Sequence, residues 1–172
     1  ELDTLRIQVE KTQQGQGSTV LLAGETGIGK TRLAYSVLET ASELGMIPLY
    51  GAFFEQEGQF SYQPYIEAIN RFLESNGRSL TENPLTNFKP INSNDPQQQN
   101  LAMFNAVAAF LTDIAQQTPI ILLIDDLHAG DKNSLHLFHF LARQTRSAPI
   151  MLLATYRTDL LAPTTSPFGG LL

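Results

Sequence analysis

Cysteine is absent from the 172 residues, which removes thiol nucleophiles, a disulfide framework, zinc fingers and iron–sulfur ligation from consideration. The absence also fits a reducing compartment. Basic charge is scarce: eleven Lys and Arg stand against seventeen Asp and Glu, a formal net charge of −6. A duplex-binding face takes its affinity largely from Lys and Arg set against phosphates, and no basic cluster occurs here, so direct nucleic-acid binding is not expected. Long hydrophobic runs are missing too. Ile120–Ile124 and Ile150–Ala154 hold five residues each and no run exceeds six, far short of the ~20 that span a bilayer. No charged-then-apolar signal segment opens the chain. About 70% of the extended-chain surface can be buried at this length, enough for a domain that holds itself together. The reading is one soluble, cytoplasmic domain over residues 1–172, with no membrane partner.

Short apolar segments alternate with helical periodicity. Leu2, Leu5 and Val9 fall at helical spacing before Gly15 and Gly17 break the chain. Thr19–Ala23 reads as a buried strand, and Thr31–Leu44 as a helix stopped by Gly45. A strand over Ile47–Phe54 and a helix over Pro64–Leu73 follow. Residues 76–100 differ: six Asn, three Gln and three Pro fill 12 of the 25 positions, which predicts a divergent surface loop rather than a packed element. Asp95-Pro96 then sets up a cap and a first helical turn, with Leu101, Phe104, Val107, Ala108, Leu111 and Ile114 along one stripe. A strand at Ile120–Ile124, a helix near Lys132–Arg143 and a strand at Ile150–Thr155 complete the pattern. Such alternation predicts an α/β fold with a mostly parallel, two-sided sheet.

Between the first strand and the first long helix lies GETGIGKT, Gly24 to Thr31, a full match to G-x-x-x-x-G-K-[ST], the phosphate loop known as Walker A. A chance match in a chain of this length has odds of about one in two hundred at average residue frequencies. Glycines permit positive φ and let backbone N–H groups wrap a β-phosphate. The following helix adds its positive dipole end. Gly24, Glu25, Thr26, Gly27, Ile28, Gly29, Lys30, Thr31 and Arg32 are the expected nucleotide-binding residues. Lys30 is expected to reach the β- and γ-phosphates, and the Thr31 hydroxyl to ligate Mg²⁺.

IILLIDD, Ile120 to Asp126, supplies the second half of the site. An apolar strand that ends in an acid puts one carboxylate beside the metal at the sheet's carboxyl edge, the Walker B arrangement. Asp125 is assigned to the Mg²⁺ shell and Asp126 to the attacking water. Glu55, at the end of the second strand, is the competing base, and Glu57 a weaker one. The order of strands resembles the division of phosphate-loop ATPases in which an additional strand lies between the two motif strands. That resemblance implies that the tip of the strand ending in ATYR faces the γ-phosphate, where Thr155 or Arg157 could sense it and an arginine would stabilise transferred charge. No Asn-Lys-x-Asp guanine reader follows the last strand, no arginine-rich lid of a small-molecule kinase is present, and a helicase motor's basic contacts are missing. Those three functions are disfavoured.

GETGIGKTRL (Gly24–Leu33), YGAFFEQEGQFSYQPYIEAI (Tyr50–Ile69), LLIDDLHAGDKNSL (Leu122–Leu135) and LLATYRTD (Leu152–Asp159) resemble the STAND class of signal-transduction ATPases. The likeness is closest to the module of large MalT-type bacterial transcriptional regulators and of cyclase- or kinase-linked proteins. It implies a three-layer phosphate-loop NTPase fold and a switch in which ATP binding favours an active, often self-associating state that hydrolysis resets. ATP, ADP and Mg²⁺ are the implied ligands, and other copies or other domains of the same chain the implied partners. Gly24, Gly29, Lys30, Thr31, Asp125 and Asp126 carry over, and Arg157 with them. The family usually has Trp-Ala after the histidine; here Ala129-Gly130 stands in that place, leaving Asp131 aligned. The resemblance further implies a fragment of a longer chain, without the last core strand and helical lid. The rival expectation is an interaction module that binds ATP or ADP with little turnover.

Three histidines and an aromatic group complete the candidates. His128, His136 and His139 lack a Glu-x-x-His arrangement and read as surface or boundary residues rather than a zinc site. Phe53, Phe54, Phe60, Tyr62 and Tyr65, with no basic residues among them, read as core and rim packing rather than a stacking platform.

Overall fold

In the computed structural model, residues 2–54 and 60–158 are described. Their elements alternate as the periodicity predicts. Helix α1 (Leu2–Gln13) leads into β1 (Ser18–Gly24), α2 (Lys30–Glu43), β2 (Ile47–Ala52) and α3 (Gln63–Ser75). Then come α4 (Pro96–Gln117), β3 (Ile120–Asp125), α5 (Lys132–Gln144) and β4 (Ile150–Arg157). The four strands form one parallel sheet in the order β1-β4-β3-β2. The last strand in sequence thus sits between the strand that leads into the phosphate loop and the strand that ends in the acid pair, as expected.

Side chains alternate across each strand, and the two faces bury different partners. Leu49, Ile120, Leu122, Ile124, Ile150, Leu152 and Ala154 pack against α3, α4 and α5. Ile121, Leu123, Met151 and Leu153 face α1 and α2 through Leu5, Val9, Ala34, Val37 and Ala41. Every residue of β3 is buried, which explains its unbroken apolar run: a strand covered on both faces has no polar side to show. Pro48 is exposed on β2, which pairs only with β3 among the described strands. Proline is tolerated at such an edge because no ladder partner misses its N–H. Gly51 permits close approach, since a Cβ there would lie 2.1 Å from the Pro64 carbonyl oxygen at the start of α3. Among the described residues no helix is long and apolar enough to cross a membrane.

The Asn-rich segment departs in part from a plain surface loop. Leu80–Glu82 forms a 3-10 turn closed by a capping box between Ser79 and Glu82, and Arg78 bridges Glu82 at 2.6 Å. Asn83 is fully buried. Its amide nitrogen donates to Asn70 Oδ1 (2.8 Å) and to the Ile66 carbonyl (3.3 Å), and its oxygen accepts the Leu85 N–H (3.0 Å). An amide that donates and accepts at once can replace missing backbone partners, so Asn enrichment here includes a structural tie as well as solvated residues. Asp95 caps α4 by accepting the Gln97 N–H at 2.9 Å, with Pro96 opening the helix.

Candidate functional site

The carboxyl ends of β1, β3 and β4 meet at the phosphate loop. Gly27 and Gly29 hold φ of 82° and 94°, left-handed values that a side chain would strain. Gly29 is the N-cap of α2, so the loop turns directly into the helix whose first N–H groups have no partner within it. Glu25, Thr26, Gly27, Ile28 and Gly29 are all exposed, leaving the loop backbone open to a ligand. The Lys30 ammonium donates to the carbonyls of Gly24 (2.8 Å) and Glu25 (2.7 Å), folding back across the loop's entry. Arg157 is the sheet partner of Gly24, so a second cation stands at the base of the same loop. Arg32 is exposed on the first turn of α2.

From the other side comes β3. Asp125 is 5% exposed, and its Oδ1 accepts from the Thr31 hydroxyl at 3.3 Å across 94 residues of sequence. The same Oδ1 accepts from the buried Thr155 hydroxyl on β4. Asp126 follows with φ 52° and ψ 45°, a left-handed backbone that Asp adopts more readily than most residues. Its N–H donates to Thr155 Oγ1 at 2.8 Å, and its side chain is 46% exposed. Desolvation, and next the Asp125 carboxylate, push the Asp126 carboxyl above its ordinary range; His128, Lys30 and Arg157 pull it back. A carboxyl raised in this way is a better proton acceptor than a solvated one.

His128, which the sequence presents as a surface or boundary residue, is half-buried as a whole, with its side chain turned into the site. Its side chain is only 5% exposed, with Nδ1 3.8 Å from Asp126 Oδ1 and the ring edge-on to Tyr156 at 5.9 Å. The burial arises because Leu127–Ala129 forms a 3-10 turn directly after Asp126, a tertiary fact with no periodic signal. Asp131 is a second hub: its Oδ1 accepts from Ser61 (3.0 Å), the Asn133 N–H (2.9 Å) and the Ser134 N–H (3.2 Å). Against the desolvation that burial imposes, these bonds and that of the Ser134 hydroxyl hold its carboxyl below the usual range. Ser134 in turn accepts the Tyr62 N–H at 2.7 Å, tying the start of α5 to the start of α3.

The phosphate loop, Asp125, Asp126, Thr155 and Arg157 are therefore brought together. Glu55 and Glu57 lie outside the described residues. The aromatic group splits: Phe53 and Tyr65 are core residues, whereas Phe54 and Phe60 are 59% and 76% exposed, beyond what rim packing predicts. A cleft of about 480 Å³ opens beside the loop, lined by Leu5, Leu21, Ala23, Ile28, Gly29 and Leu33 among others.

The donor set suits a hard cation held partly by a ligand. Among the described residues no group of three or more His, Cys, Asp or Glu could form a complete protein cage. The Thr31 and Asp125 oxygens instead adjoin each other at the mouth of the loop. Mg²⁺ uses one or two protein oxygens together with phosphate oxygens and water, so these residues fit it.

Solved structures similar to this chain include that of C. elegans PCH-2, 15% identical over 96% of this chain and 38% of that one, with a TM-score of 0.47. The cytoplasmic domain of the Thermomonospora curvata type VII secretion ATPase EccC is 16% identical over 84% of this chain and 16% of that one (TM-score 0.40). The DnaC helicase loader is 18% identical over 92% and 68% (TM-score 0.39). The chain spans less than two thirds of the first two of these. No curated protein matches it. The family model described as an AAA ATPase domain matches residues 1–153, a span that takes in the phosphate loop, the acid pair and part of the last strand. The chain belongs to the AAA ATPase domain family.

Proposed function

We propose that the chain is an Mg-ATP-binding and hydrolysing switch module of a bacterial regulatory protein, of the STAND type that its motifs resemble. The observation that carries the reading is the meeting of Thr31 with Asp125 at 3.3 Å, which joins the two halves of a phosphate-loop site from distant parts of the sequence. Thr31 and Asp125 would hold Mg²⁺, which when bound neutralises charge on the β- and γ-phosphate oxygens. Lys30 leaves the Gly24 and Glu25 carbonyls to meet the phosphates, and the loop N–H groups cradle them. Asp126, exposed enough to meet solvent and raised in proton affinity, orients the attacking water and accepts its proton. Arg157 stabilises the charge that develops on the transferred group. The cleft beside α1 and β1 would give room to the adenine of the nucleotide. Asp126→Asn is expected to retain ATP binding and lose turnover; unchanged phosphate release in that variant would move the base role to Glu55.

A second reading, an interaction module that binds ATP or ADP with little turnover, is favoured by exposed Phe54 and Phe60, aromatic surface suited to another domain or another copy. Phosphate release followed over hours, with and without the other domains of the parent protein, separates the two.

A further inference from the structure

Thr155 is fully buried near the end of a strand whose residues before it, Ile150–Ala154, are all apolar. A buried hydroxyl is costly unless it is satisfied, and here both of its capacities are used on consecutive acids. Its proton goes to Asp125 Oδ1, and its oxygen accepts the Asp126 N–H at 2.8 Å. The β3–β4 pairing ends at Ile124 opposite Ala154. One step beyond, the Thr155 side chain takes the place of the next backbone rung and holds Asp126 as the chain turns to φ 52°. Of the two hydroxyls on Asp125 Oδ1, that of Thr31 is also assigned to the metal, while that of Thr155 also holds the Asp126 N–H.

We propose that Thr155 is a positioning residue whose single hydroxyl couples the metal-holding carboxylate of Asp125 to the water-orienting Asp126. This deepens the proposed ATPase reading and rests on it. It also differs from the expectation that Thr155 senses the γ-phosphate, because the only proton it could donate is committed to Asp125. One bond fixes a carboxylate's direction and the other fixes the backbone from which the next carboxylate projects. Both acids therefore move if the hydroxyl is lost.

The test compares Thr155→Val, which keeps the shape and removes both bonds, with Thr155→Ser, which keeps the hydroxyl. Three quantities are measured on each folded protein: exchange of the Asp126 amide proton without nucleotide, ATP affinity by calorimetry with Mg²⁺ and with EDTA, and the single-turnover hydrolysis rate at saturating Mg-ATP. In Thr155→Val the amide should exchange faster and affinity in EDTA should stay parental. The Mg²⁺-dependent gain in affinity and the single-turnover rate should each fall about 10- to 100-fold, the usual cost of losing a group that orients a metal ligand. Thr155→Ser should recover most of each loss. Parental behaviour of Thr155→Val, or equal impairment of Thr155→Ser, would overturn the proposal. A parent protein that binds no Mg-ATP would overturn the nucleotide reading and the positioning role with it. That failure shows in the parent's own titration and is distinct from a fault confined to the variants.

Discussion

The two faces of the sheet are unequal. The face covered by α3, α4 and α5 buries large side chains such as Tyr65, Phe138, Leu111 and Leu141. The face covered by α1 and α2 buries fewer and smaller ones, with Ala34, Val37 and Ala41 as the contribution of α2, and β1 beside it is only partly covered. The phosphate loop stands on the lean side, at the N-terminus of α2. A loop that must offer glycines and open N–H groups to a ligand cannot also bury apolar surface, so stability is supplied elsewhere and the site sits in the less firmly held part of the molecule. The thick face carries the fold and the lean face carries the chemistry.

Equal deletions on the two faces give the largest test of this contrast. Leu141→Ala, at a fully buried position on α5, should cost about 4 kcal/mol, whereas Leu5→Ala on α1, beside the cleft, should cost about 2 kcal/mol because its surroundings can relax into the gap. Urea unfolding of both variants measures the difference, and equal losses would erase the distinction between the faces.

A middle-sized effect is expected at Asp131, which joins α5 to the start of α3. Asp131→Asn should lose about 1–2 kcal/mol, since the amide cannot accept all the hydrogen bonds that the carboxylate accepts. The carboxyl is held below its usual range when folded, so its stabilisation is complete above the ordinary carboxylate range and lost as pH falls through the lowered folded value. The thermal midpoints of parent and variant should converge at the acid end. A constant gap down to the lowest pH would show that the carboxylate's charge is not what matters.

The smallest stability effect is expected at Asp126, and it has the opposite sign. The folded carboxyl is raised, so ionising it penalises the fold; the penalty is absent below the ordinary carboxylate range, grows as pH rises and is complete above the folded value. Asp126→Asn should therefore raise the thermal midpoint slightly at neutral pH and not in acid, while removing turnover. A lowered midpoint at neutral pH would place Asp126 with the structural residues rather than with the functional ones.

Much of the fold was legible because apolar segments are separated by strong turn signals. The buried run Ile120–Ile124, the Asp95-Pro96 start of α4 and the glycine stop after α2 each carry a local cause. The phosphate loop and Asp125 were legible for the same reason, as fixed spacing around required chemistry. The rest depends on partners far apart in sequence. Asn83 looked like one more solvated amide, but its partners Asn70 and Ile66 lie on α3. His128 gave no sign that the turn after Asp126 would bury it. Thr155 stands out in the sequence as a strand-end candidate for sensing a γ-phosphate, and that its hydroxyl serves two adjacent acids follows from strand register.

The most direct test of the account is a calorimetric titration with Mg-ATP of the parent and of Lys30→Ala, checked by their thermal midpoints. Lys30 donates to the Gly24 and Glu25 carbonyls of its own loop, so its removal should leave the fold intact. The account predicts saturable binding by the parent, abolished in Lys30→Ala at an unchanged midpoint. Equal binding by both proteins, or none by a folded parent, would contradict it.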